Sequence, residues 1–162
     1  MSKSSQDHPR VIVFPPIILV TTIALGSVLQ WLSPIGLLAT ATQTWRIPAG
    51  VVAILAGVLL AATGRRTLVR LGTNVSPFQP TTALATDGVF GWTRNPLYSG
   101  GMLVIFGIAL VFVLDWLLLL IVPSLLVLHF GVVKREEEYL EQKFGDRYRI
   151  YRCNVARYGL GI

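Results

Sequence analysis

Charge is scarce in this sequence. Asp, Glu, Lys and Arg make up 14% of its 162 residues, where a soluble domain carries about 25%. With 53% hydrophobic residues and a mean hydropathy of +0.64, that shortage excludes an ordinary water-soluble domain. Cysteine is nearly absent as well. Cys153 stands alone, which excludes an internal disulfide and any cysteine-based metal cluster, and leaves a free thiol in a basic tail. No G-x-G-x-x-G loop follows a strand pattern, so a Rossmann-type nucleotide site is excluded. No Ser-His-Asp or zinc-ligand spacing occurs either. His129 has no partner at ligand spacing, so it reads as a hydrogen-bonded interfacial residue and no metal is assigned. The net charge of +6 comes from cations interleaved with Tyr, Leu and Phe beside apolar runs. An anionic cytoplasmic leaflet fits that pattern better than nucleic acid does.

What the sequence does have is long apolar runs. Val11 to Leu32 is uncharged and reaches the ~20 residues needed to cross ~30 Å of hydrocarbon, with Pro15-Pro16 in its first turns, where missing N–H groups cost little. A cleaved signal peptide is the competing reading. Residues 1 to 10 are polar and read as unstructured. The stretch from Ile35 to Trp45 reads as a loop or an interfacial helix. Ile47 to Thr63 is a second span, introduced by Arg46 and Pro48 and closed by Gly64-Arg65-Arg66. On it, Ala53, Gly57 and Ala61 form either a small-residue face for close helix contact or ordinary membrane composition.

Leu71 to Trp92 carries breakers at Gly72, Pro77, Pro80 and Gly88 and no helical period. Both flanking segments must return to one membrane face, so this loop is expected to be an ordered cap over a site. Leu97 to Leu114 and Trp116 to Val133 are apolar runs divided by Asp115, which predicts a tight helical hairpin with Asp115 at its far turn and a kink at Pro123. Asn95 and Pro96 read as the N-cap and first residue of that hairpin. Val133 to Lys143 reads as a tail helix leaving the membrane. Gly145 stops it, and a short turn brings Tyr148 and Tyr151 three residues apart.

The fold class expected is therefore all-α, an integral membrane bundle of about four transmembrane helices with a C-terminal hairpin and an amphipathic cytoplasmic tail helix. It is read as one unit, with N-terminal spans over 1–70 and a core over 71–162. Lys3, Arg10, Arg65, Arg66, Arg70, Arg94 and the basic tail fall on one side and Arg46 on the other, so both termini are expected to be cytoplasmic.

Arg94-Asn95-Pro96-Leu97-Tyr98 opening a helical hairpin, Glu136-Glu137 a helix later, and Phe144-Gly145-Asp146-Arg147-Tyr148 followed by Tyr151 form a pattern with a known counterpart. It resembles the isoprenylcysteine carboxyl methyltransferases and the related phospholipid methyltransferases, over roughly the C-terminal 90 residues. The first 60 or so match only as apolar segments. The resemblance implies a membrane-embedded methyltransferase using S-adenosylmethionine, bound outside any Rossmann fold, on a lipophilic or lipid-linked acceptor. Carried over by position, cofactor contacts fall on Thr82, Ala83, Leu84, Ala85, Phe90, Asn95, Pro96, Leu97, Tyr98 and Glu136. Arg94, Arg135 and Glu136 are the implied catalytic residues. A carboxylate suits the cofactor's ammonium group, and aromatic rings suit its adenine and sulfonium.

Three positions depart from the pattern. Val132 stands where the isoprenylcysteine enzymes hold the substrate carboxylate with an arginine, and Lys134 and Arg135 lie on other faces of the helix. Asn95 replaces the usual histidine and cannot titrate. Asn154 replaces a basic residue. The alternatives are a phospholipid or amine N-methyltransferase of the same architecture, an NADPH-dependent sterol-type reductase relative, and a non-enzymatic membrane scaffold.

Overall fold

The computed structural model describes residues 7–159, and among them every regular element is helical. Lys3 and most of the polar stretch from 1 to 10 lie outside the described residues. The bundle is built from α1 (Pro15–Leu32), α2 (Gln43–Arg70), α3 (Pro96–Phe112) and α4 (Asp115–Leu128). A π-type turn over His129–Val133 carries α4 without a break into α5 (Lys134–Phe144), and α6 (Asp146–Asn154) follows. Pro15–Leu32, Gln43–Arg70 and Asp115–Phe144 are long and apolar enough to cross a membrane, and Pro96–Phe112 is a shorter apolar helix. The protein is a membrane protein.

α2 runs further than its apolar composition predicts. It takes in Gln43 to Arg46 at its start, and it continues through Arg65 and Arg66 to Arg70 rather than ending before them. Gly72, at φ +67, then turns the chain out of the helix.

Glycines at seven-residue spacing set the antiparallel packing of α2 on α3. A Cβ added at Gly57 would lie 2.5 Å from the Gly100 carbonyl oxygen, and one at Gly100 would lie 2.5 Å from that of Gly57. Gly50 and Gly107 repeat the arrangement a heptad away. Only glycine allows two backbones this close. Ala53 is buried and Ala61 sits against Gly100, so the small-residue face of α2 is the α2–α3 seam. On the other side of the hairpin α1 lies along α4, with Gly26 over Leu117 and the Thr22 and Ser124 hydroxyls 2.6 Å apart. Between them is a core of Ile18, Met102, Ile105, Ala109, Leu117, Leu128, Val132 and Val133. The outward faces of α1 and α2 expose Val20, Val28, Trp31, Val52, Leu55 and Leu59, which lipid tails solvate as well as a protein core would.

Asp115 stands at the hairpin turn, as expected, but the turn is not a free tip. Val113 adopts a left-handed conformation, and Asp115 opens α4 with none of its surface accessible. Its carboxylate accepts from the backbone N–H groups of Gly36 at 2.8 Å and Leu38 at 2.7 Å, and from the Gln30 amide at 3.4 Å. The loop after α1 folds over this anion because its N–H groups need an acceptor there. Arg46, expected at the same surface, is also buried, and donates to the Leu110 and Val111 carbonyls where α3 ends. A cation at a helix C-terminus is well placed electrostatically.

Candidate active site at the loop end of the bundle

The loop between α2 and α3 is ordered by its own polar side chains. Thr73 Oγ1 accepts from the N–H groups of Thr82 (2.9 Å) and Ala83 (3.4 Å), Thr82 Oγ1 donates to Gly72 O (2.9 Å), and Asn74 Nδ2 donates to Pro80 O (2.8 Å). A 3-10 turn over Gly88–Gly91 ends it. The expected cap is thus a built structure despite its lack of helical period.

α3 starts at Pro96 with Asn95 in the N-cap position, as the sequence predicts. The capping role itself is corrected. Asn95 makes no side-chain cap bond; its Nδ2 donates instead to Arg157 O at 3.1 Å. Thr93 Oγ1 donates to the same oxygen at 3.0 Å, and Arg94 N donates to Ala156 O at 3.0 Å. These bonds tie the start of α3 to the returning C-terminal segment, which takes the Asn95 amide away from the helix end.

α5 presents two adjacent carboxylates in different surroundings. Glu137 is buried and bound by two guanidinium groups: Arg94 NH1 at 3.0 Å, and Arg157 through Nε at 2.8 Å and NH2 at 2.7 Å. Glu136 accepts from the Tyr98 hydroxyl at 2.7 Å, and among the described residues no Lys or Arg pairs with it. Arg94 keeps a buried Nε without a partner. Behind these groups the Tyr151 hydroxyl donates to Phe90 O at 2.7 Å, and the Tyr148 hydroxyl accepts from Arg94 at 3.4 Å. Burial pushes the Tyr148 phenol up to about 12 and raises Tyr151 as well, so both keep their protons.

A cavity lies between the cap, the start of α3, α5 and α6. Ala83, Leu84, Ala85, Phe90, Arg94, Asn95, Pro96, Leu97, Tyr98 and Glu136 all line it. Thr82 and Arg135 do not. Thr82 is turned toward Gly72 and Thr73, and the Arg135 guanidinium donates to Arg10 O at 3.0 Å. The wall also includes Asn74 to Pro77, Thr81, Glu137, Leu140, Tyr148, Tyr151 and Pro9, none of which is among the cofactor contacts carried over by position. Asn74 to Pro77 lie in the stretch that reads as a cap, and the two tyrosines and Leu140 in the tail pattern, so those signals are present in the sequence. Nothing in the polar residues before α1 points to Pro9.

Around this cavity, the departures from the family pattern have structural counterparts. Val132 is fully buried in the core. Lys134 lies over the Phe130 ring, 5.0 Å from its centroid. The Asn154 amide bonds back to Ile150 O. Nearby, His129 Nδ1 is 2.9 Å from the Tyr158 hydroxyl, which makes it the hydrogen-bonded residue expected.

One cavity thus gathers a carboxylate without a cation, a guanidinium side chain and several aromatic rings. The fold is a helical membrane bundle with this cavity at its loop end. Residues 45–147, more than half of the chain, match the phospholipid methyltransferase family, and the chain belongs to that family. The match begins just inside α2, so it reaches further toward the N-terminus than the motif alone indicates. No curated protein matches the sequence.

Proposed function

We propose that the protein is an integral membrane methyltransferase that uses S-adenosylmethionine to methylate a lipophilic acceptor reaching it from the bilayer. The observation that carries this reading is Glu136, a carboxylate that faces the cavity with a tyrosine beside it and no cation. An anion in such a place is costly until a ligand cation joins it.

The residues present fit the cofactor. Glu136 would take its ammonium group, the Arg94 side chain in the cavity wall its carboxylate, and Phe90 and Tyr98 its apolar and cationic parts. When bound, S-adenosylmethionine supplies an electrophilic methyl carbon. The cap, the start of α3, α5 and α6 line the cavity on several sides, and an in-line displacement would need them to hold the ligand in line and keep water from it. Glu137 is committed to Arg94 and Arg157, so it holds the wall rather than the ligand.

Four spans are part of the reading. α3 has 17 residues, or about 26 Å at 1.5 Å per residue, and it is packed between α2 and α4. With α3 and α4 crossing as a hairpin, Arg65, Arg66, Arg70, Arg94 and the basic tail share one side, which is cytoplasmic by the distribution of cations. Both termini then lie on that side.

Val132 favours a lipid amine over an isoprenylcysteine carboxylate as acceptor, because a fully buried valine offers no charge to hold a carboxylate. Radiolabelled S-adenosylmethionine and NADPH, each titrated against detergent-solubilised protein, test the function. Saturable binding of the first alone is expected. Binding of NADPH instead would assign a reductase, and binding of neither would leave a scaffold.

A further inference from the structure

The residues before α1 are not a free tail where the structure describes them. Asp7 accepts from Lys143 Nζ at 2.6 and 2.7 Å and from the Tyr139 hydroxyl at 2.9 Å. Pro9 is buried and forms part of the cavity wall. Arg10 O accepts from Arg135, and Ile12 N donates to Gly131 O at 3.0 Å. The expectation of an unstructured segment is corrected for residues 7–10.

Tyr139 is the centre of this arrangement. Its hydroxyl accepts from the backbone N–H of Thr81 at 3.1 Å and from Lys143 at 3.0 Å, and donates to Asp7. A hydroxyl has one proton to give and two lone pairs, so its capacity is fully used. Thr81 itself lines the cavity. One atom on α5 therefore holds the cap on one side and the N-terminal segment on the other. Phe14 and Phe78, with ring centroids 5.9 Å apart, join the same two segments a second time.

We infer that residues 7–10 form a strap that closes the cavity, locked by Asp7, Lys143 and Tyr139, with Tyr139 a positioning residue for the cap. This rests on the reading of the cavity as the S-adenosylmethionine site. The Asp7 side chain is 59% exposed and that of Lys143 25%, and exposed ion pairs are weak and screened by salt. A lock of that kind opens readily, as ligand exchange requires.

The test uses full-length protein in detergent. Tyr139→Phe keeps the ring and removes the hydrogen bonds to Thr81, Lys143 and Asp7. Asp7→Lys breaks the ion pair, and Asp7→Lys with Lys143→Asp restores it reversed. Amide hydrogen exchange at Thr81, measured without ligand, should rise in Tyr139→Phe, while global thermal stability holds. S-adenosylmethionine should leave Asp7→Lys about three- to fivefold faster than wild type, with the rate recovering in the double variant. Unchanged Thr81 exchange in Tyr139→Phe, or an unchanged release rate in Asp7→Lys, would overturn the strap. Wild-type protein that binds no S-adenosylmethionine would instead overturn the function, whatever the exchange data show.

Discussion

The two ends of the bundle both bury charge, and they use it differently. At the hairpin turn, Asp115 binds backbone N–H groups and Arg46 binds backbone carbonyls. Those charges complete the ends of chain segments. At the loop end, Glu137 binds both Arg94 and Arg157, while Glu136 faces a cavity and one N–H of Arg94 is left without a partner. A buried charge marks function here only when its neighbours have not already satisfied it.

The largest effect should come from the hairpin end. Asp115→Ala leaves the Gly36 and Leu38 N–H groups without an acceptor and should cost about 3 to 5 kcal/mol of stability, read as a large fall in the thermal midpoint in detergent. Cofactor affinity of the protein that remains folded should not change. A loss of affinity without a loss of stability would mean that the two ends do not differ in role.

Glu137→Gln is next. It removes the anion between Arg94 and Arg157 and should destabilise by about 3 kcal/mol. Thermal unfolding checks this, and a stable variant would show that the two arginines do not depend on it. Tyr98→Phe should have the smallest effect, because it deletes one hydrogen bond to Glu136. Affinity for S-adenosylmethionine is expected to fall about two- to tenfold at unchanged stability, measured by titration.

Much of the fold and of the cavity wall can be read from the sequence because the signals are local. The Arg94 to Tyr98 motif marks a helix start by its Asn-Pro pair, and the run to Glu136 is long enough to return the chain to the same end. Gly145, at φ +57, ends α5 as a glycine at that position should. What the sequence hides depends on contacts distant along the chain. Asn95 has the composition of a cap, but Arg157 O, 62 positions away, takes its amide. Arg135 is adjacent to Glu136, yet successive residues of a helix point about 100° apart, and it turns to Arg10. Thr82 sits among cavity residues, but its hydroxyl serves the loop. Asp115 divides two apolar runs as a surface turn residue would; only the fold shows the loop after α1 closing over it.

Glu136 and Glu137, neighbours in sequence, divide ligand binding and structure between them. Glu136→Gln, which keeps shape and removes charge, separates the two roles when S-adenosylmethionine affinity and thermal stability are measured on the same preparation. Affinity should be about 10- to 150-fold weaker, the value of a charge-assisted hydrogen bond, with wild-type stability. Wild-type affinity in a folded Glu136→Gln protein would show instead that both carboxylates are structural.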